Sequence, residues 1–247
     1  MRRHMRLSAP TLRSIAALLL SLALASWAGC GSSRPRVEAE PQVDPNELDA
    51  SALLARLERQ LRAASSITIE TRVQSAGVHP SQLGGPITFS GSTTTWQIDG
   101  TFGGSTVALT LVGSGEATSG GDSRSGRTFR APISPAALRD RAVTGLVRMG
   151  VLHNLARLVE GEAPDERVSA ESGWASIVDA QRGEVVTGEG TATIPIRFGI
   201  SIDGTRTGEA TLWLDARTYL PVRREQTVQF PEGGMTVTEV YSRFEVQ

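Results

Sequence analysis

Ile194, Ile196, Phe198, Ile200 and Ile202 alternate with Thr193, Pro195, Arg197, Gly199 and Ser201. A strict period of two means a strand with one apolar face and one wet face. Asp203-Gly204 follows, a strong hairpin signal. The return run EATLWLD places Ala210, Leu212 and Leu214 on one side. A turn over residues 215–220 leads to PVRREQTVQF, a second turn spans 231–234, and MTVTEVYSRFEV ends the chain. The C-terminal third therefore reads as an antiparallel meander.

Upstream the period changes. Asp44 is a good N-cap, Pro45 suits a first helical turn and Glu47 completes a capping-box spacing. Leu54, Leu57 and Leu61 then recur at helical spacing. Ser65-Ser66 ends this helix, and ITIETRV follows as a strand with Ile67, Ile69, Thr71 and Val73 on one face. PITFSGSTTTWQID (86–99) and STVALTLVG (105–113) each read as a strand, GSGEATSGGDSRSG (113–126) as a mobile loop, and 127–131 as a short strand. The longest helical pattern runs from Ser134-Pro135 to Gly161. Its stripe is Leu138, Ala142, Leu146, Met149, Leu152, Leu155 and Val159, with Gly145 and Gly150 expected to weaken or bend its middle. A helix, strands, one long helix and a meander predict an α+β fold: an antiparallel sheet with helices on one face.

The first 29 residues have a different character. Arg2, Arg3 and Arg6 precede an apolar core, Ile15 to Ala25, broken by Ser21 alone. That core is too short to span a bilayer and has the size of a signal peptide's central region. Residues 30–45 read as an attachment point and flexible tether, since Gly, Ser, Pro and charge alternate there without apolar period. Fully extended, 31–45 reaches about 50 Å. Residues 46–247 form the expected single domain.

Charge narrows the partners. Removing the leader's four arginines from the 25 basic residues leaves 21 against 26 acidic, a formal charge of −5. Such a balance argues against nucleic acid. All basic residues are arginine, so lysine chemistry is excluded. His79, His153 and a single cysteine leave no intrachain disulfide and no ordinary zinc site. No nucleophile elbow, phosphate loop, dinucleotide fingerprint or HExxH is present. No catalytic residue, metal or cofactor is therefore expected. His153 reads as packing or surface, His79 as exposed loop, and Glu160/Glu162 with Asp165/Glu166 as a solvated acidic loop. Arg124, Arg127 and Arg130 read as a solvated edge or a headgroup contact. Arg223-Arg224 puts one arginine on each strand face; solvated side chains are the ordinary reading, and an inward one that meets an anionic ligand group or a buried acid is the sharper alternative. Trp96, Trp174 and Trp213 read as packing or cavity lining.

Two segments carry a family resemblance. LLARLERQLRAASSITIETRVQS is an amphipathic helix running into a first strand. ATLWLDARTYLPVRREQTVQF, followed by MTVTEVYSRFEV, is a strand, an Asp-containing turn and a Leu-Pro strand start. Together with the element order, they resemble the LolA/LolB lipoprotein-carrier superfamily, which includes RseB-like regulators and mycobacterial lipid-binding lipoproteins. The resemblance implies a strongly curved, unclosed β-barrel with helices covering its concave face. It further implies a space between sheet and helices that accepts acyl chains of a lipid or lipidated protein, or, in a regulator, a filled interior and an envelope protein partner. The facing apolar stripes supply the candidate lining: Leu146, Met149 and Leu152 from the helix, and Ile194, Ile196, Phe198, Ile200 and Leu212 from the strands.

Ala28-Gly29-Cys30 resembles the last three positions of a lipobox, which implies a lipidated Cys30 holding the domain to a membrane of the bacterial envelope. Gly31, in place of Asp, resembles signals that permit passage to an outer membrane, with the domain facing the periplasm. Cleavage after Ala25, at Ala-Leu-Ala, is the competing cut. An unpaired thiol in an oxidising compartment favours the anchor. Intact mass of the mature N-terminus separates the two: a lipid-modified Cys30 is expected, and a chain starting at unmodified Ser26 refutes the anchor.

Overall fold

The computed structural model describes residues 47–169, 171–188 and 190–247. The leader, Cys30, the tether and the Asp44-Pro45 helix start lie outside the described residues. Val43–Gln247 forms a compact unit of its own.

Helix α1 (Ala50–Ala63) starts later than the capping pattern at Asp44 suggests. Its cap is Asp49, whose carboxylate accepts from the Ala52 amide at 2.8 Å. This start turns Leu53, Leu54, Leu57 and Leu61 inward, all at most 3% exposed. Glu47 precedes the helix.

Six strands follow as an up-and-down meander: β1 (Ser66–Gly77), β2 (Ser81–Ser90), β3 (Thr93–Phe102), β4 (Ser105–Ser114), β5 (Ala117–Asp122) and β6 (Arg127–Ala131). Two expectations are corrected here. Residues 86–99 are not one strand; they turn at Gly91, whose φ of 54° suits glycine. Residues 113–126 are not a loop, because β5 pairs with both β4 and β6. Glycines make β5 possible. A Cβ on Gly120 would stand 2.5 Å from the Thr110 carbonyl oxygen, and one on Gly121 2.1 Å from that of Arg127. Asp122, 2% exposed, closes the strand by accepting from the amides of Ala108, Arg124 and Ser125.

The expected long helix is two helices, α2 (Pro135–Arg148) and α3 (Val151–Val159), broken at Gly150 with φ 88°. Gly145 does not bend α2; a Cβ there would lie 2.7 Å from Asn154 Nδ2, so it admits α3. The second meander comprises β7 (Ala175–Arg182), β8 (Val186–Gly188), β9 (Thr191–Ile202), β10 (Thr205–Asp215), β11 (Pro221–Phe230) and β12 (Gly233–Val246). Strand order is β6-β5-β4-β3-β2-β1-β12-β11-β10-β9-β7, with β8 beside β9. Every pairing is antiparallel, and β1 joins the two meanders through β12. The apolar face of β9 is as expected, but its other face is partly covered: Arg206 and Val178 lie over Gly199.

The sheet curls around the helices. Helix α2 touches β3, β4 and β5 as well as β7. In the sheet, β5 and β7 are nine strand steps apart. Laid flat, nine steps would span about 43 Å, twice the roughly 21 Å of a 14-residue helix. Both can touch α2 only if the sheet is strongly curved. Strands β6 and β7 are its unpaired edges, so the barrel is unclosed, and the helices cross the concave face between them. This is the expected α+β class.

The helix break is held from the sheet. Arg224 on β11 and Glu239 on β12 face one another across strands, both 0% exposed. Arg224 donates to the carbonyls of Val147 (2.8 Å) and Arg148 (3.0 Å) at the end of α2, and to Gln226 Oε1 at 2.6 Å. Glu239 accepts from the Leu152 amide at 3.1 Å, at the start of α3, where no side chain of the helix itself caps it. A cation therefore meets a helix C-terminus and an anion a helix N-terminus, each the favourable sign. Tyr241 donates to the Glu239 carboxylate. Burial, with that carboxylate beside it, pushes the Tyr241 hydroxyl well above its ordinary range, so it remains a donor. A Cβ at Gly150 would lie 2.5 Å from Glu239 Oε1, which fixes glycine there.

Arg224→Met should cost about 3–5 kcal/mol, because Glu239 loses its buried counter-charge. Adding Glu239→Gln should restore a large part of that loss. Urea unfolding of the two single variants and the double variant tests this coupling.

Candidate functional site

A cleft of about 570 Å³ opens between α3 and one end of the sheet. Hairpin ends gather there: His79 from the β1–β2 turn, Phe102 at the end of β3, Ile202 and Thr207 around the β9–β10 turn, and Phe230, Pro231 and Met235 around the β11–β12 turn. The helical side supplies Met149, Leu152, His153, Ala156 and Glu160. Ile200, Val228 and Trp174 complete most of the apolar wall.

Aromatic contacts shape its rim. His79 stacks on Phe102 at 5.9 Å between ring centres and meets the edge of Phe230 at 6.3 Å. Trp174 is held between partners. Its Nε1 donates to Asp203 Oδ2 at 3.2 Å, and the Arg167 guanidinium lies 4.3 Å over its ring. Arg167 in turn pairs with Asp165 at 2.7 Å. Asp165 was expected in a solvated loop; it is 5% exposed, because Arg167 and Arg157 meet it there. The Arg167 hydrogen bonds draw the Asp165 carboxyl down to about 2.

His153 stands 5.9 Å from Trp174, and its Nε2 is buried without a hydrogen-bond partner. Burial pushes its pKa down to about 4; Asp165 pulls upward, while Arg157 and Arg167 add to the depression. The imidazole is therefore neutral near pH 7. Among the described residues, no group of three or more His, Cys, Asp or Glu could hold a metal ion.

The structure divides the candidate lining residues. Met149, Leu152 and Ile200 line the cleft. Leu146 borders a separate void of about 10 Å³ beneath α2, together with Ile67, Ile69 and Trp96. Ile194, Ile196 and Leu212 are 0% exposed in the core, outside the cleft. Phe198 is buried with the Arg224 guanidinium 5.3 Å over its ring. The three tryptophans part similarly: Trp96 is core, Trp174 is cleft wall, and Trp213 carries Arg223 over its ring at 5.3 Å. Arg127 pairs with Glu160 at 2.7 Å on the surface. Sequence reasoning missed Val228, Phe230, Met235 and Phe102. The turn signals could have found them, since every second hairpin of an antiparallel meander returns its tip to the same end.

A second groove, of about 510 Å³, includes Arg197, Arg206, Glu209 and Glu225 in its lining. Arg206 there is already paired with Asp179 (2.6 Å) and Glu209 (3.2 Å).

No protein-family model matches the sequence, and no curated protein matches it. Similar solved structures exist. The lipoprotein LppX of Mycobacterium tuberculosis is 14% identical, with 80% of this chain and 99% of that one covered and a TM-score of 0.38. A LolA superfamily protein from Nitrosomonas europaea is 9% identical over 81% of this chain and 94% of that one, with a TM-score of 0.28. The MucA/MucB complex of Pseudomonas aeruginosa gives 14% identity over 80% of this chain, 56% of that chain and a TM-score of 0.36.

His153 makes the fold acid-sensitive. The unfolded chain takes a proton on this ring near pH 6.5, the folded chain only near 4. Between those values the unfolded state binds more protons, so stability falls as pH falls, by about 2 kcal/mol at pH 5. Asp165 acts in the same direction over a lower range, its contribution disappearing as pH falls toward 2. His153→Leu should therefore narrow the difference in Tm between pH 7 and pH 5, followed by circular dichroism.

Proposed function

We propose that this is an exported protein, anchored in the bacterial envelope through lipidated Cys30, that binds a lipid or a lipidated protein non-covalently beneath α3. The observation that carries the reading is the cleft. Its volume of about 570 Å³ lies within the roughly 300–1,000 Å³ of ordinary ligand sites. Its wall is dominated by Met149, Leu152, Ile200, Ile202, Val228, Phe230 and Met235. Burying an acyl chain there is worth about 0.8 kcal/mol per methylene. The role is that of a carrier or acceptor, on the outer membrane and facing the periplasm, and it needs no covalent chemistry. No helix among the described residues is long and apolar enough to cross a membrane.

A second reading, a protein-binding envelope regulator, draws on a different observation. The centre of the fold is filled: Ile194, Ile196, Leu212 and Leu155 are all 0% exposed. In that case the cleft would receive apolar side chains of a partner protein.

Protein purified from an envelope without detergent exchange should release bound lipid on solvent extraction, seen by mass spectrometry. Ala156→Trp, which fills the cleft from α3, should reduce that yield at least tenfold while leaving the circular dichroism spectrum unchanged. Protein that emerges empty and takes up no fluorescent fatty acid or ester refutes the lipid reading.

A further inference from the structure

The polar atoms around the cleft restrict the kind of lipid it can hold. No arginine lines it, and the chain contains no lysine. The neighbouring guanidiniums are committed to acids of the protein: Arg127 to Glu160 at 2.7 Å, Arg157 to Glu162 at 3.0 Å, and Arg167 to Asp165 at 2.7 Å. A carboxylate or phosphate carried into the cleft would lose its water and find no free cation, which is heavily penalised. Glu160 at the rim adds an acid to the lining.

A pure hydrocarbon does not complete the site either. His153 is a cleft residue whose Nε2 has no hydrogen-bond partner, and a buried polar atom left in that state costs free energy. A neutral imidazole carries one donor and one acceptor nitrogen, so it can meet a hydroxyl or a carbonyl. Gln226 Oε1 already accepts from Arg224 at 2.6 Å, so that side chain has only its amide NH2 to offer.

We infer that the cleft selects uncharged acyl lipids bearing an ester or hydroxyl group over fatty-acid and phosphate anions, with His153 as the hydrogen-bonding contact. The inference rests on the lipid reading of the cleft and adds the chemical class of its occupant.

Two fluorescent probes with one hydrocarbon chain test it: cis-parinaric acid and its methyl ester. The full chain, processed in a bacterial envelope, purified and delipidated, is titrated with each at pH 7.5. The ester should bind at least tenfold more tightly than the ionised acid. His153→Leu should weaken the ester about fivefold, the size of one ordinary hydrogen bond, and leave the acid unchanged. His153→Gln, which keeps a donor and an acceptor, should retain most of the ester's affinity. Equal binding of acid and ester by the native protein overturns the inference while leaving the lipid reading intact. So does a His153→Leu protein that binds both probes as the native one does. Failure of both probes to bind overturns the lipid reading and the inference with it.

Discussion

A buried arginine and a buried glutamate, facing each other across two strands, set the geometry of everything above the sheet. Arg224 and Glu239 are fully enclosed, yet neither spends its charge on the other alone. Arg224 terminates α2 and Glu239 begins α3, so the chain is broken where the sheet requires it to be. Taking two charges out of water is costly, and the backbone groups they cap offset part of that cost. What the pair adds is direction. A helix running unbroken from 135 to 159 would carry Leu152, His153 and Ala156 away from the strand ends that form the cleft.

The same logic of matched charges continues outward. Arg148, the last residue of α2, forms a forked contact with Glu58 of α1 at 2.7 and 3.1 Å and donates to the Ala175 carbonyl of β7 at 2.9 Å. Arg62 reaches from α1 to Asp140 at 2.8 Å and to Thr144 at 2.7 Å in α2. These contacts lie between helices whose apolar stripes already face the sheet. They fix the helices' relative rotation in a core that would otherwise tolerate sliding, since hydrophobic contact has no direction of its own. Arginine serves here because its planar fork meets two acceptors at once.

Much of this was legible in the sequence. Alternation exposed β1, β4, β9, β10, β11 and β12, because a half-buried strand writes its period into side-chain polarity. The curved sheet and its helical cover followed from element order and resemblance. Strand β5 was hidden because Thr118, Ser119, Gly120 and Gly121 have no apolar period, and its pairing depends on backbone approach. Strand β7 was hidden because it breaks register between Val178 and Gln181, with Asp179 at a positive φ of 54°. Arg223-Arg224 leaves open whether either arginine turns inward, and Glu239, in phase with Met235, Val237 and Tyr241, carries no sequence mark of its own role. The cleft was legible only in part. Met149, Leu152 and Ile200 are visible in the stripes, but Phe102 and Phe230 become cleft walls only because hairpin ends gather at one end of the curved sheet, which no local period encodes.

Helix α3 is bounded by Gly150 and Gly161, at φ 88° and 71°. Its two ends are fastened by contacts of different strength. The first end is held by a buried carboxylate, and the last by the exposed pair of Arg127 with Glu160, a contact of the kind that contributes little in water. The far end is nonetheless seated by packing: Leu158 is fully buried, and Gly161 lies directly on the Arg127 backbone. Raising ionic strength weakens the exposed pair and leaves the buried carboxylate contact nearly untouched. Salt can therefore remove the outer pair without unseating the helix that walls the cleft.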